Sequence, residues 1–494
     1  MGKPTWRPAW ETERRSPSFI TSDVNTGRLS DQVSCGAAKY LWGNMPALDL
    51  LNLNQNEGVD DTSQDFHLLF AASGDLRNLM KTVAALPESY TGTLNVTFND
   101  LDFDIVARNV VFLLTALTLP TEKATPIILH LWYSALIPAE ILTILDKEVL
   151  PLIDDVCKKI STKPVESLQA KTWKCGERSL HLVLQKHRWV EIRNSFTVPK
   201  GLSLDKARSV RKAITMAPAR VDNLHRGLFS QPPFRRVSKI KFRENGILLP
   251  FGSCRARFDT PNPTHYHGVE SWRMLDSADP LDGWKLEEIV GLASQAKNDI
   301  YGALFFHVKD LILKFCRRIM NMKFHIDLYQ ISNISDGGYL GLNCSLATFG
   351  PMLKRASDNP RATLLLLFMN AVEEMSTPGD VLSLTNPAFC KVFEHYIPEC
   401  RQAMHSGNRE QDAALLKGFE ALTLFRDFDQ VFDRYMHYVG PIPEEYKMKI
   451  KAKHTIVPRW PLRLRKNATK QEFDMEQASG QVSSSRYLEW VRAE

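Results

Sequence analysis

The signatures that would name a chemistry outright are missing from these 494 residues. No CxxC pair occurs and the eight cysteines are scattered, so no zinc module is expected. No G-x-G-x-x-G, no G-x-x-x-x-G-K followed by Ser or Thr, and no G-x-S-x-G occurs. A dinucleotide fingerprint, a P-loop and a hydrolase elbow are thereby all without support. No long apolar run is unbroken. Residues 106–119 contain Arg108 and Asn109, and 301–320 contain His307, Lys309, Asp310 and Lys314. Neither suits a membrane span. The opening MGKPTWRPAWETERRSPSF puts Trp, Pro and Glu where a signal peptide needs an apolar core. Reduced thiols and a cytoplasmic location are expected, with the nucleus as the alternative. A net charge of +6 is small for this length, so nucleic acid is not an expected partner.

What is present reads as a layered α/β protein. Residues 1–45 form an extended arm, with Trp6, Trp10 and Phe19 as anchors on the body. The segment 42–53 reads as a turn into a short helix. The stretch LLFAASGDLRNLMKTV (68–83) then runs from an apolar strand through a small-residue turn into a helix. Pro87 ends that helix, and Leu94, Val96 and Phe98 alternate as a second strand. Another helix follows from Asp104, and 126–133 fits strand or helix. Strand, helix, strand, helix at this spacing predicts a parallel sheet covered by helices. Residues 46–139 are the first half of that domain. Residues 140–243 read as a basic helical insertion on one side of the sheet, and 244–438 as the second half. In that half, 245–253 restarts strand and turn, 262–284 is a loop, 324–328 and 363–368 are strands, and the remainder to 438 is helical. Residues 439–494 read as a basic wrapping tail.

The candidate site sits on the first strand–turn–helix. Gly74, between Ser73 and Asp75, lets the backbone turn sharply and a ligand approach. The helix behind it presents free N–H groups. Asp100 and Asp102 end the second strand, where an acid accepts hydrogen bonds from ribose hydroxyls. A single glycine suits S-adenosylmethionine better than a dinucleotide, because no pyrophosphate must be cradled. Asn333, in the polar SNISD turn after a later strand, is a further candidate. The alternative is architectural. Gly74 then makes a tight turn, Asp75 complements a helix dipole and Asp102 caps the next helix. His265-Tyr266-His267 lacks a nearby ligand cluster and reads as surface, so no metal is expected. The arginines and lysines of 200–243 read as the solvated face of the insertion.

LWGNMPALDLL, FHLLFAASGDLRNLMKTV and LNVTFNDLDFDIVARNVVFLL together resemble the domain of unknown function shared by fungal MYND-finger proteins and dynein axonemal assembly factor 3. NGILLPFGSCRARFDTPNP, DSADPLDGW, YQISNISDGGYLGL and RYLEW resemble the fungal branch. The resemblance implies a Rossmann-like, methyltransferase-like fold. The fungal relatives have no assigned reaction, and the axonemal relative is a cytoplasmic preassembly factor. The chain starts at the WRPAWETERR segment that follows the MYND finger in many fungal relatives, so recruitment through a finger is not expected. An N6-adenine or amide methyltransferase would carry an Asp/Asn-Pro-Pro-Tyr turn where this chain has SNISD. The function expected is therefore a non-catalytic binding or assembly factor with an unidentified protein partner. The alternative is an active S-adenosylmethionine-dependent methyltransferase.

Overall fold

The computed structural model describes residues 1–3, 5–19, 35–229, 231–292, 296, 298–330, 340–377, 379–380, 395–397, 421, 423–465, 467–479 and 483–493. The chain opens its main unit with strand β1 (Phe66–Ala71), helix α1 (Arg77–Ala85) and strand β2 (Thr93–Asp100). Leu94, Val96 and Phe98 point inward from β2, and Leu79, Met80 and Val83 from α1. Helices α2 (Phe103–Thr118) and α3 (Thr121–Tyr133) follow. Asp102 caps α2 by accepting from the Asp104 N–H at 2.9 Å. Nearly every side of α2 is apolar and buried, as a helix central to a core requires.

Three later strands complete the sheet. They are β3 (Leu168–Cys175), β4 (Arg178–Gln185) and β5 (Lys323–Gln330), the last entered from helix α4 (Ile300–Met320). The spatial order is β1-β2-β5-β4-β3. The first four run parallel, and β3 joins β4 as an antiparallel edge. The molecule is thus a mixed α/β protein with a largely parallel central sheet, as the alternation of elements predicts.

A second sheet is antiparallel. Strand β6 (Leu364–Phe368) pairs with β8 (Arg486–Arg492), which also pairs with β7 (Met448–Ile450). One face packs Leu366, Phe368, Leu488 and Trp490 on Phe432 and Tyr435 of a covering helix. Leu365 and Leu367 on the other face meet Met45 and Tyr487.

Several expectations need correction. Residues 140–243 are not helical throughout, because 168–185 is a hairpin that extends the main sheet. Nor is the basic stretch simply a solvated face. Arg211 and Arg243 are buried, with Arg211 donating to the carbonyls of Arg243 (2.7 Å) and Phe242 (3.1 Å). Residues 363–368 belong to the second sheet, and 439–494 supply two of its strands instead of a tail. Residues 42–53 form no helix, because their N–H groups go outward: Ala47 to the Gly283 carbonyl, Leu48 to Asn78 and Leu50 to Thr82. Residues 246–250 are irregular and 251–252 form a turn, so no strand restarts there; Leu248 N–H donates to Ser134 and Phe251 N–H to Asp299. Residues 126–133 are helical. Much of the helix expected up to 438 lies outside the described residues.

Of the expected arm, residues 20–34 lie outside the described residues, and Trp6 is half-buried, its ring 5.2 Å from that of His225. Trp10 and Phe19 are buried, meeting edge-to-face at 5.4 Å beside Phe229. Arg15 clamps the buried Asp222 at 2.5 and 2.8 Å. No helix of the described residues is long and apolar enough to cross a membrane.

Candidate functional site

Parallel strands put their carboxyl ends on one side of a sheet, and ligands of open α/β folds sit there. A cleft of about 940 Å³ opens at that position. Its walls are the ends of β1 and β2, the segment 38–50, and β6 of the second sheet. Ser73, Gly74, Asp100 and Asp102 all reach it, so the structure brings four of the anticipated residues together. Gln330, the end of β5, lines it too. Asn333, three residues beyond, lies outside the described residues.

The groups are already engaged with one another. Gly74 N–H donates to Asp100 Oδ2 at 2.8 Å, and Asp102 N–H donates to Asp100 Oδ1 at 2.9 Å. The Asp100 carboxylate thus ties the β1 turn to the end of its own strand. Burial pushes the Asp100 carboxyl above the usual range, against the two N–H donors that favour its charge. Ser73 N–H goes to the Asn99 carbonyl at 3.0 Å, and Asn109 of α2 donates to the Gly74 carbonyl at 2.9 Å. Gly74 has φ +59°. A Cβ there would come no nearer than 3.9 Å to Arg77, so glycine serves backbone conformation and not close approach. Ala72 beside it also has a positive φ, +50°.

Asp75 does not belong to the cleft. It is buried behind the turn, where its carboxylate accepts from Arg77 Nη1 (2.6 Å), Gly43 N–H (2.9 Å) and Trp132 Nε1 (3.3 Å). Arg77 reaches on to the Met45 carbonyl at 3.0 Å. The pair fastens segment 43–45 to the start of α1, which is more than the dipole role expected of Asp75. Asp102 is held in turn by Lys39, whose ammonium lies 2.7 Å from Asp102 and 2.6 Å from Asp104. Arg273 completes that cluster through Asp104.

Sequence reasoning missed Lys39, Asn109 and Arg77. Arg77 stands in α1 beside an anticipated site residue, which was a usable signal; Lys39 and Asn109 approach only through tertiary packing. It also misplaced His265, expected at the surface. That ring is fully buried, with Nδ1 3.1 Å from the Ser134 carbonyl. Burial, then the nearby Arg108, holds its pKa well below the ordinary value. Among the described residues no group of three or more His, Cys, Asp or Glu side chains is placed to hold a metal ion.

The cleft lining mixes polar side chains such as Lys39 and His67 with exposed apolar ones. Leu69 (41%), Leu101 (54%) and Met352 (66%) are exposed large side chains there.

No curated protein and no solved structure matches this chain. Residues 41–137, which run from the cleft-lining segment through β1, α1, β2, α2 and α3, match the family model described as a domain of unknown function (DUF4470).

Proposed function

We propose that the chain is a non-catalytic protein-binding or assembly factor, acting in the cytoplasm on a methyltransferase-like scaffold. One observation carries this reading. The acid that would accept a ribose, Asp100, is bonded through both oxygens to the N–H groups of Gly74 and Asp102. The turn that would cradle a cofactor spends its Gly74 N–H on the protein's own side chain, and Asp75 is taken up by Arg77, Gly43 and Trp132. A fold carries no reaction with it. The resemblance to fungal MYND-finger proteins and to an axonemal assembly factor supports the same reading. The exposed leucines and methionine at the rim suit a protein surface better than a polar cofactor.

The test is calorimetry and thermal shift with S-adenosylmethionine and S-adenosylhomocysteine. A cofactor at a hundred times its dissociation constant stabilises its protein by about 2.7 kcal/mol. No heat and no shift are expected; a saturable signal lost in Asp100→Ala overturns the reading.

A second reading is favoured by a different observation. Ser73, Gly74, Asp100 and Asp102 do converge on one cleft of about 940 Å³, inside the range of about 300–1,000 Å³ for small-ligand sites. That arrangement fits an S-adenosylmethionine-dependent methyltransferase, and the same titration separates the two.

A further inference from the structure

Two of the strands that line the cleft are edges. Among the described residues β1 pairs only with β2, and β6 only with β8. Successive side chains of a strand point to opposite faces. A space that touches only one face of a sheet therefore meets every second residue. This cleft meets consecutive ones: His67, Leu68 and Leu69 from β1, and Leu364, Leu365 and Leu366 from β6. Both strands thus present their edges to it. An edge exposes a row of main-chain N–H and C=O groups with no strand beside them. Here two such rows border one space, one from each sheet.

We infer that the cleft receives an extended segment of a protein partner, which adds as a strand between β1 and β6 and joins the two sheets. This binding mode rests on the protein-binding reading above. Alternating donors and acceptors on both walls are complementary to another extended main chain, the basis of recognition by strand addition. Specificity in that mode comes from side chains at alternate positions. The rim offers Leu69, Leu101 and Met352 to receive them, so the segment carries apolar residues at every second position. The cations nearest the mouth are already matched. Lys39 is neutralised by Asp102 and Asp104, and Arg188 pairs with Glu191 at 2.6 Å. A strongly acidic segment would find no unmatched lysine or arginine in that pair.

The test is a selection of displayed random peptides of roughly nine residues, long enough to span a strand, on the full chain. Leu69→Lys is the counter-target, because a lysine on an edge opposes strand addition and Leu69 is exposed enough to be replaced without unfolding. Enriched peptides are expected to alternate apolar residues and to bind Leu69→Lys at least about tenfold more weakly. N-methylation of alternate backbone nitrogens should abolish binding. Amide exchange should slow in residues 66–71 and 364–368. No enrichment, undiminished binding of N-methylated peptides, or protection confined elsewhere would each overturn the inference. Met352→Lys, at a separate position on the rim, repeats the test should Leu69→Lys misfold. Binding of S-adenosylmethionine in the parallel titration would overturn the non-catalytic reading and leave the peptide result standing on its own.

Discussion

Replacing Glu489 should loosen one whole wall of the cleft. This side chain is fully buried in the middle strand of the second sheet. Its carboxylate accepts from the N–H groups of Ile456 (2.8 Å), Thr455 (2.9 Å) and Val457 (3.1 Å), and from Lys451 Nζ (3.3 Å). Lys451 continues to Asn56 Oδ1 at 3.0 Å, and Asn52 donates to the Thr455 carbonyl at 2.9 Å. One acid therefore binds the second sheet to the loop 455–457, and that loop to the segment before β1. Burial alone would raise its pKa; the three N–H donors and Lys451 outweigh it and hold the carboxyl below the usual range. Glu489→Ala leaves three N–H donors without their acceptor and the Lys451 ammonium without its counter-charge. Breaking a buried ion pair costs about 3–5 kcal/mol. Glu489→Gln keeps the shape but turns an amide toward donors, for about 1–3 kcal/mol. Native-state hydrogen exchange of residues 448–450 and 486–492 reads the loss locally, where global two-state unfolding is a poor assumption for a chain this long. The sign with pH follows from the depressed pKa. The carboxylate's contribution is present above the unfolded value, about 4.3, and is lost as pH falls through the folded one. The gap between wild type and Glu489→Ala should therefore close in acid. A loss under about 1 kcal/mol at neutral pH, below even the range for a buried unsatisfied group, would refute the reasoning.

Gly74→Ala should cost about 1–2 kcal/mol, the strain of a left-handed residue, since φ is +59° and the added Cβ meets only Arg77 Nη1, at an ordinary contact distance of 3.9 Å; a much larger loss in urea denaturation would mean the turn is packed more tightly than described. Burial holds His130 and His307 down to about 4, so the unfolded chain binds more protons between there and its own value near 6.5. Stability should rise with pH across that window and fall as pH drops from about 6.5 toward 4; equal urea midpoints at pH values spanning it would refute this. Trp10→Ala should cost about 1.5–3 kcal/mol of buried aromatic surface, seen as faster exchange in residues 9–19, and unchanged exchange there would show that the arm is held without Trp10, by polar contacts such as Arg15 with Asp222 and Ala9 N–H with His225.

The legible part of this fold is the local part. Residues 66–118 could be read because apolar spacing switches from strand to helix period within a few residues of a glycine turn and a capping aspartate. The hairpin 168–185 had a usable signal. Leu180, Leu182 and Leu184 alternate inward, and Gly176 and Glu177 separate the two runs at the two-residue spacing of a tight turn. The abundance of lysine and arginine hid it. In the second sheet the strand at 363–368 was legible but its pairing was not, because it pairs with a strand over a hundred residues later, and no local window records such a pairing. At the site, Gly74 and Asp100 were correctly brought together by strand–helix–strand spacing. Their bond to each other was not foreseeable, because spacing fixes which ends are neighbours and not whether a carboxylate turns inward or out. His265 was misjudged for the same reason: two histidines around a tyrosine do not say that the first packs under the helix end at Ser134 while His267 stays exposed.

The second sheet also sets an order of events in synthesis. Its middle strand, β8, is made long after its partner β6, so the leucine-rich residues 364–368 wait unpaired while more than a hundred further residues emerge. At about 5–20 residues per second that is roughly 6–25 s. The main sheet, finished by residue 330, has its strands in hand well before then. A newborn chain therefore carries an assembled main sheet beside an unclosed apolar strand, and shielding that strand during translation becomes a demand on whatever chaperones meet it.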